Sequence, residues 1–284
     1  MKKLISITLL LISSLLVTGC IKTDKMDNID IVTTVYPVTY LAEQIYGDNS
    51  TIVSIYPNGI DVENYEITDK QIKEYAKSDL FIYNGLDSKE KKIATKLINE
   101  NKDIKLIDAT QGLTVNSTDE ELWLSPTNYL MMAQNIKEHL SDFMTSNVLK
   151  NKLQTNYENI KLTISKFDAN FKIIAENAKD KDVIVANSSL GFLKRYGFNI
   201  ISLDENEDKY KSNLTKAKAN LASETNKVIF AIDNKTTEDI NKLDADIINV
   251  KSMTILSLED IKNKNNYQSL MNEFIEELRN EVYS

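Results

Sequence analysis

The chain has 284 residues with 34 basic and 42 acidic side chains, so its formal net charge is −8. This acidic balance argues against nucleic acid as a partner and against a polybasic attachment to anionic lipid. The single cysteine, Cys20, excludes an intramolecular disulfide bond, so packing alone must hold the fold together. The length suits two modest domains, each large enough to bury its own core.

The first 20 residues have the pattern of a secretory signal. Lys2 and Lys3 precede an apolar run at 4–17, and small residues then lead to Cys20. The run is shorter than the ~18 residues that cross a bilayer, which argues against a short transmembrane anchor with an incidental cysteine. The ending resembles a bacterial lipobox, which implies that residues 1–19 are removed and that Cys20 carries a lipid such as palmitate. We therefore expect a protein anchored on the extracytoplasmic face of the cell membrane.

Residues 20–29 are polar and aperiodic, and they predict a tether between the lipid and the folded protein. Strands and helices then alternate as far as residue 125, and one helix opens with a capping box at 68–71. The predicted strands are Ile31–Val35, Thr51–Tyr56, Leu80–Tyr83 and Ile104–Ile107. Alternation of this kind indicates parallel strands with helices on both faces, so residues 30–125 are expected to form an N-terminal α/β lobe.

The same alternation returns after residue 178, which predicts a C-terminal α/β lobe over residues 179–284. Its helices are expected at 189–195, 209–224, 237–245 and 267–282. Its predicted strands are Val183–Ala186, Phe198–Leu203, Lys227–Ile232 and Asp246–Val250. The fold class is therefore two similar α/β lobes with mainly parallel sheets.

Linker helices over residues 126–178 are expected to join the lobes. Apolar residues recur every three or four positions from Leu149 to Ala178, without proline or glycine, which predicts one long helix. Two interpretations of this helix are a coiled-coil segment and a rigid strut packed along both lobes. Its position between two α/β repeats favours the strut.

Ligands of parallel α/β sheets bind beyond the carboxyl ends of the strands, and a cleft between two lobes is the default site. Several segments of the sequence are typical of one family. They are Thr33–Pro37, Gly47–Asp48, residues 57–68, Ala76–Leu86, Leu122–Pro126 and Leu190–Gly197. As a set and in this order, they resemble the zinc/manganese solute-binding lipoproteins of ATP-binding-cassette importers. The resemblance implies two α/β lobes joined by a long helix, with one divalent metal ion between them.

The residues at the family's metal-ligand positions differ from the usual ones. Glu63 stands two residues before Tyr65, and Glu121 two before Trp123, where the family has histidines. Asn187 replaces a histidine or glutamate, and Lys251 is the nearest, loosely aligned match to a final aspartate after the last strand. The histidine-rich loop of many zinc-specific members is also absent. The only histidine, His139, lies in a predicted helix and is expected to be a solvated side chain.

Three interpretations of the altered site remain open. Glu63, Glu121 and Asn187 could form an oxygen-only site for a hard cation such as Mn²⁺, Mg²⁺ or Ca²⁺. A lysine at or near Lys251 could instead neutralise the glutamates, replacing the metal by an ion pair or by an organic ligand. In the third interpretation both glutamates are ordinary solvated loop residues. The cofactor expectation is accordingly one divalent cation (Mn, Zn or another) or none.

Catalytic motifs are not found in the sequence. There is no glycine-rich phosphate loop, no Gly-x-Ser-x-Gly elbow and no paired-cysteine motif. We therefore expect a binding protein and not an enzyme: a monomer that captures a ligand and presents it to a membrane permease of an ABC importer. The alternative is a degenerate family member without a metal site, acting as a surface interaction or adhesion lipoprotein or binding a small organic ligand.

Overall fold

The structure is a computed structural model, and it describes most of the chain after residue 23. The described residues are 24–57, 60, 62, 64–114, 121–223, 228–232, 240, 249–253 and 266–283. For residues 223, 232 and 249–253 the description covers the backbone alone. The predicted signal and Cys20 lie outside these residues, as does most of the helix predicted at 237–245.

Four parallel strands form the sheet of the N-terminal half, in the order β2-β1-β3-β4. The strands are β1 (Ile29–Thr33), β2 (Ser50–Ser54), β3 (Leu80–Tyr83) and β4 (Lys105–Asp108). The helices between them are α1 (Tyr36–Tyr46), α2 (Asp69–Tyr75) and α3 (Ser88–Glu100), with a short 3-10 helix at Gly47–Asn49. The predicted capping box opens α2, because the Thr68 and Gln71 side chains each bond to the other's backbone N–H.

Successive residues of the central strands point to opposite faces of this sheet, as strand geometry requires. Ile31 and Leu80, which are paired in register, lie in one apolar cluster. Val32 and Phe81, the next pair, lie in a second cluster with residues of α2 and α3. The sheet is therefore covered by helices on both sides, which explains why its central strands β1 and β3 are mostly apolar and buried.

The C-terminal half repeats this plan with strand order β6-β5-β7-β8, again all parallel. The strands are β5 (Asp182–Val185), β6 (Asn199–Ser202), β7 (Val228–Ile232) and β8 (Asn249–Met253). A 3-10 helix at Ser188–Tyr196 follows β5. The last two helices, numbered after the linker helices, are α6 (Tyr210–Ser223) and α7 (Tyr267–Tyr283).

Two helices and a short 3-10 helix at Leu122–Leu124 connect the halves: α4 (Pro126–Phe143) and α5 (Asn147–Asn177). At 31 residues, α5 is about 46 Å long. Its buried stripe is Leu153, Tyr157, Ile160, Ile164, Phe167, Phe171, Ile174 and Ala175. This stripe belongs to one apolar cluster that also contains residues of both sheets, among them Ile82 and Phe230. The predicted fold class is confirmed, and α5 is a strut packed on both halves. The lobe boundaries at 125 and 178 stay predictions.

The expected tether is wrong for residues 24–29. Asp24 is only 8% exposed, and its carboxylate accepts hydrogen bonds from the backbone of Met26, Thr145 and Ser146, at the α4–α5 junction. Met26 is buried in the central cluster, and its carbonyl accepts a hydrogen bond from the Tyr46 hydroxyl. The described part of the segment is therefore fixed to the folded protein before β1 begins.

Among the described residues, no helix is both long enough and apolar enough to cross a membrane.

Candidate functional site

The carboxyl ends of the N-terminal strands carry a closely packed group of polar residues. Oδ1 of Asp108, the last residue of β4, accepts hydrogen bonds from the backbone N–H of Gly85 (2.9 Å) and of Thr110 (2.8 Å). A Cβ atom at Gly85 would overlap the Asp108 carboxylate. Glycine is therefore required after β3 for the close approach of two strand ends.

Glu90, in the first turn of α3, is a buried acid at the same strand ends. Its side chain is 3% exposed, its Oε2 accepts a hydrogen bond from Asn84 N–H (2.6 Å), and Thr34 lies beside it. Burial raises the pKa of the Glu90 carboxyl to about 8, and the nearby Asp87 and Asp108 act in the same direction. Glu90 is thus protonated in the folded protein near neutral pH.

Glu63, the first predicted ligand, lies outside the described residues, but both flanks of its loop are held in place. The Lys89 ammonium donates a hydrogen bond to the Val62 carbonyl (3.0 Å), so the first turn of α3 contacts the residue just before Glu63. On the other side, Gln71 of α2 donates to the Tyr65 hydroxyl (2.6 Å). The loop that carries Glu63 is therefore attached to two helix starts.

Glu121 caps the short 3-10 helix at Leu122–Leu124 and is half-buried. Its carbonyl accepts a hydrogen bond from Leu124 N–H (3.0 Å), and the three apolar residues that follow it are buried. Burial of Trp123 and its neighbours fixes the turn, so the position of the Glu121 backbone is set by packing.

Asn187 follows β5 and caps the 3-10 helix at Ser188–Tyr196, since its side-chain oxygen accepts a hydrogen bond from Ser189 N–H (3.1 Å). This helix contacts the 3-10 helix that follows Glu121. Arg195 of the C-terminal half also donates to the Thr127 hydroxyl at the start of α4. The structure therefore brings the 3-10 helix that follows Glu121 and the 3-10 helix that follows Asn187 into contact at the boundary between the halves.

The sequence predicted that Lys251 follows the last strand of the C-terminal half. The structure instead places Lys251 within that strand. It lies at the third position of β8, where its backbone is in register with Phe230, because β8 begins at 249 and continues to 253. Its side chain is outside the description, so its role as a charge in the cleft stays a prediction.

The sole histidine is far from these turns. His139 lies 13 residues after Pro126 on α4, about 20 Å along the helix axis, and its Nε2 is 2.7 Å from Oε1 of Gln111. Within the part of the chain that the structure describes, no three histidine, cysteine or acidic side chains lie close enough to hold a metal ion.

Two residues with contacts at these strand ends, Lys89 and Glu90, were not singled out from the sequence. They are neighbours in the first turn of a charged helix, where both are expected to be solvated. The one local signal was Asp87, a good N-cap residue. It indicates that a helix begins a few residues after β3 ends, so that Lys89 and Glu90 lie in the first turn of that helix.

The architecture is that of a two-lobed solute-binding protein in which one long helix joins two parallel sheets. Residues 31–281 match the family model described as zinc-uptake complex component A, periplasmic, and the chain belongs to this family. The family resemblance inferred from the sequence is thereby confirmed.

Curated relatives are named for zinc and for manganese. The chain is 24% identical over 229 residues to the high-affinity zinc uptake system protein ZnuA of Bacillus subtilis, covering 72% of this chain and 71% of the relative. It is 25% identical over 230 residues to the zinc-binding lipoprotein AdcA of Streptococcus pneumoniae, covering 72% of this chain but 44% of that protein. It is also 28% identical over 161 residues to the manganese ABC transporter substrate-binding lipoprotein PsaA of the same species, covering 50% of this chain and 52% of PsaA. The match thus spans about half or less of the last two relatives.

Solved structures support the same fold. The metal-dependent lipoprotein YcdH from Bacillus subtilis superposes with a TM-score of 0.75 at 20% identity, covering 90% of this chain and all of that one. The Zn(II)-bound ZnuA-like domain of AdcA from Streptococcus pneumoniae gives a TM-score of 0.73 at 20% identity, with the same coverage. At this identity the likeness establishes the architecture alone.

Proposed function

We propose that the protein is an extracytoplasmic lipoprotein, anchored through Cys20, that captures a divalent cation between its lobes and delivers it to the permease of an ABC importer. Membership of the zinc-uptake family and relatives named for zinc and manganese support the cation as cargo. Such a protein performs no covalent chemistry: it binds the cation, excludes competing ions and releases the cargo to its partner.

The observation that carries this proposal is the contact between the Glu121 turn and the 3-10 helix capped by Asn187. These two turns belong to different halves, and each follows a strand of its sheet in the chain. A carboxylate and an amide oxygen are hard donors, and hard cations such as Mn²⁺ accept donors of this kind. Ordinary zinc sites use nitrogen and sulfur donors instead. With Glu63 as a third ligand, all three side-chain donors are oxygens, and the proposed cargo is a divalent cation of the Mn/Zn class.

The test begins with metal analysis of the protein purified without chelators, followed by thermal unfolding with added MnCl₂ or ZnCl₂. A cation at 100 times its dissociation constant stabilises the folded state by about 2.7 kcal/mol. For a chain of this size, that corresponds to a rise in melting temperature of roughly 5 °C or more. If neither cation co-purifies and neither raises the melting temperature at millimolar concentration, the proposed capture of metal is wrong.

A double substitution locates the site. Glu63→Gln with Glu121→Gln removes both carboxylates and should abolish the response to cation without unfolding the protein. Glu100→Gln with Glu176→Gln is the matched control, because it makes the same change of charge at two exposed helix positions. Unchanged cation binding in the Glu63/Glu121 variant would place the site elsewhere.

Lys89 favours a second candidate function. Its ammonium donates a hydrogen bond to the Val62 carbonyl, so a positive charge lies beside the residue that precedes the first predicted ligand. In this candidate the charge partly neutralises the loop, and the cleft binds an organic ligand instead of a metal ion. Lys89→Met should then leave the protein without ligand binding, whereas under the metal proposal it should strengthen Mn²⁺ binding by removing a competing cation. Isothermal titration with MnCl₂ distinguishes the two outcomes.

A further inference from the structure

Tyr267, the first residue of α7, belongs to the C-terminal half but is surrounded by the N-terminal half and the linker. Its side chain is fully buried. Its ring centroid lies 4.2 Å from that of Tyr129 on α4, 5.6 Å from that of Tyr40 on α1, and 6.3 Å from that of Phe167 on α5. Three helices therefore enclose this one ring.

Two hydrogen bonds fix Tyr267 within this enclosure. Its hydroxyl donates to the backbone carbonyl of Trp123, which lies in the 3-10 turn that Glu121 begins. Its backbone N–H, one of the free donors at the start of α7, donates to the Tyr36 hydroxyl (3.3 Å). Burial raises the pKa of the Tyr267 hydroxyl well above its usual value, so the hydroxyl remains a donor.

We propose that Tyr267 is a positioning residue that holds the Glu121–Trp123 turn against the C-terminal helix and so fixes where the Glu121 carboxylate can act. The role in ligand capture rests on the proposed function. The hydrogen bond from the Tyr267 hydroxyl to the Trp123 carbonyl, which we call the clamp, is a property of the fold. No other buried tyrosine of the enclosure bonds to this turn: the Tyr129 hydroxyl donates to the Pro37 carbonyl (2.8 Å), which belongs to the N-terminal half.

Because of this hydrogen bond, the position of the Glu121–Trp123 turn depends on the position of α7 in the C-terminal half. A displacement of α7 pulls on the Trp123 carbonyl directly, because the hydrogen bond joins a helix terminus to a backbone atom with only one side chain between them. Trp123 is the only tryptophan in the chain, so its fluorescence reports on this turn without labelling.

The experiment measures acrylamide quenching of Trp123 fluorescence in the full mature chain. Tyr267→Phe removes the hydroxyl and keeps the ring, and Tyr129→Phe makes the same change in an equally buried, neighbouring ring. We expect at least a twofold larger quenching constant in the Tyr267 variant and no change in the Tyr129 variant. Equal quenching in the two variants, whether raised in both or in neither, would overturn the proposal.

A second variant keeps the test decisive if Tyr267→Phe does not fold. Tyr36→Phe removes the acceptor for the Tyr267 N–H, and it should also raise the quenching constant above that of Tyr129→Phe; no difference between them would overturn the clamp.

Titration with MnCl₂ tests the role in ligand capture separately from the clamp. If the wild-type protein binds Mn²⁺, Tyr267→Phe should weaken binding about threefold to tenfold, and unchanged binding would overturn the positioning role. If the wild-type protein binds neither Mn²⁺ nor Zn²⁺, the proposed function fails, and the quenching comparison still decides the clamp.

Discussion

Replacing Glu90 by glutamine should change how the stability of the protein depends on pH. The folded state holds this carboxyl in a buried position, with the Asn84 N–H donating to it and with Asp87 and Asp108 nearby. Its pKa is about 8 in the folded protein against a usual value of 4.5. Glutamine keeps the shape and one acceptor oxygen, and it cannot ionise.

The sign of the effect follows from the raised pKa. Below about pH 4.5 the carboxyl is protonated in both the folded and unfolded states, so its ionisation contributes nothing. Between 4.5 and 8 the unfolded chain releases this proton and the folded protein keeps it, so stability falls by up to about 1.4 kcal/mol per pH unit. Across the whole window the loss has an upper limit of about 5 kcal/mol, and the Glu90→Gln variant escapes it.

Urea unfolding at pH 5, 7 and 9 measures this difference. We expect similar free energies of unfolding at pH 5 and a variant that is more stable than wild type by at least about 2 kcal/mol at pH 9. Glu100→Gln, at the exposed end of the same helix, is the control for replacing a glutamate by glutamine on α3. Parallel stability curves for wild type and Glu90→Gln would refute the reasoning, because they would mean that Glu90 ionises in the folded state as readily as in the unfolded chain.

Two further substitutions test contacts that hold the strand ends and the N-terminal segment. Gly85→Ala should destabilise the protein by about 1–3 kcal/mol in urea unfolding, because the added methyl overlaps the Asp108 carboxylate; a loss below about 0.5 kcal/mol would show that the two strand ends separate freely. Asp24→Ala should cost about 1.5–3 kcal/mol at pH 7, since it removes the buried acceptor of the Thr145 and Ser146 backbone N–H groups. Burial opposes ionisation of Asp24, but these hydrogen bonds outweigh it and lower the pKa of the carboxyl, so the cost should shrink as the pH falls below the usual value of 3.8; a cost that stays constant down to pH 2 would contradict this account.

Much of the fold could be predicted because its signals are local. The strand β3 has the predicted bounds, since an apolar run there ends at Asn84-Gly85, a strong turn signal. The helix α5 was predicted within two residues at its start and one at its end, because its apolar stripe is continuous over eight turns. In both cases neighbouring residues in the chain carry the information.

The errors occur where distant parts of the chain decide the structure. Residues 24–29 are polar and aperiodic, so the sequence predicted a tether, yet Asp24 is held by residues 145 and 146. Likewise, nothing local distinguishes Glu90, which is buried, from Glu100 on the same helix, which is exposed. The candidate site was predicted only in part for the same reason. The loops could be identified from the sequence, but Lys89, which contacts Val62, and Tyr267, which contacts Trp123, come from other elements.

The shared core limits how this protein can capture a ligand. Side chains from both sheets, from α5 and from α7 form a single apolar cluster, and Tyr267 joins the halves at its centre. Rotating one lobe against the other would break that cluster, and each large apolar side chain removed from a core costs several kcal/mol. A cation bound by a few oxygens in loops cannot offset such a loss over many residues. Under the proposed function, capture therefore does not use a large rotation of one half against the other, and its selectivity depends on how firmly α7 holds the turn at 121–124 through Tyr267.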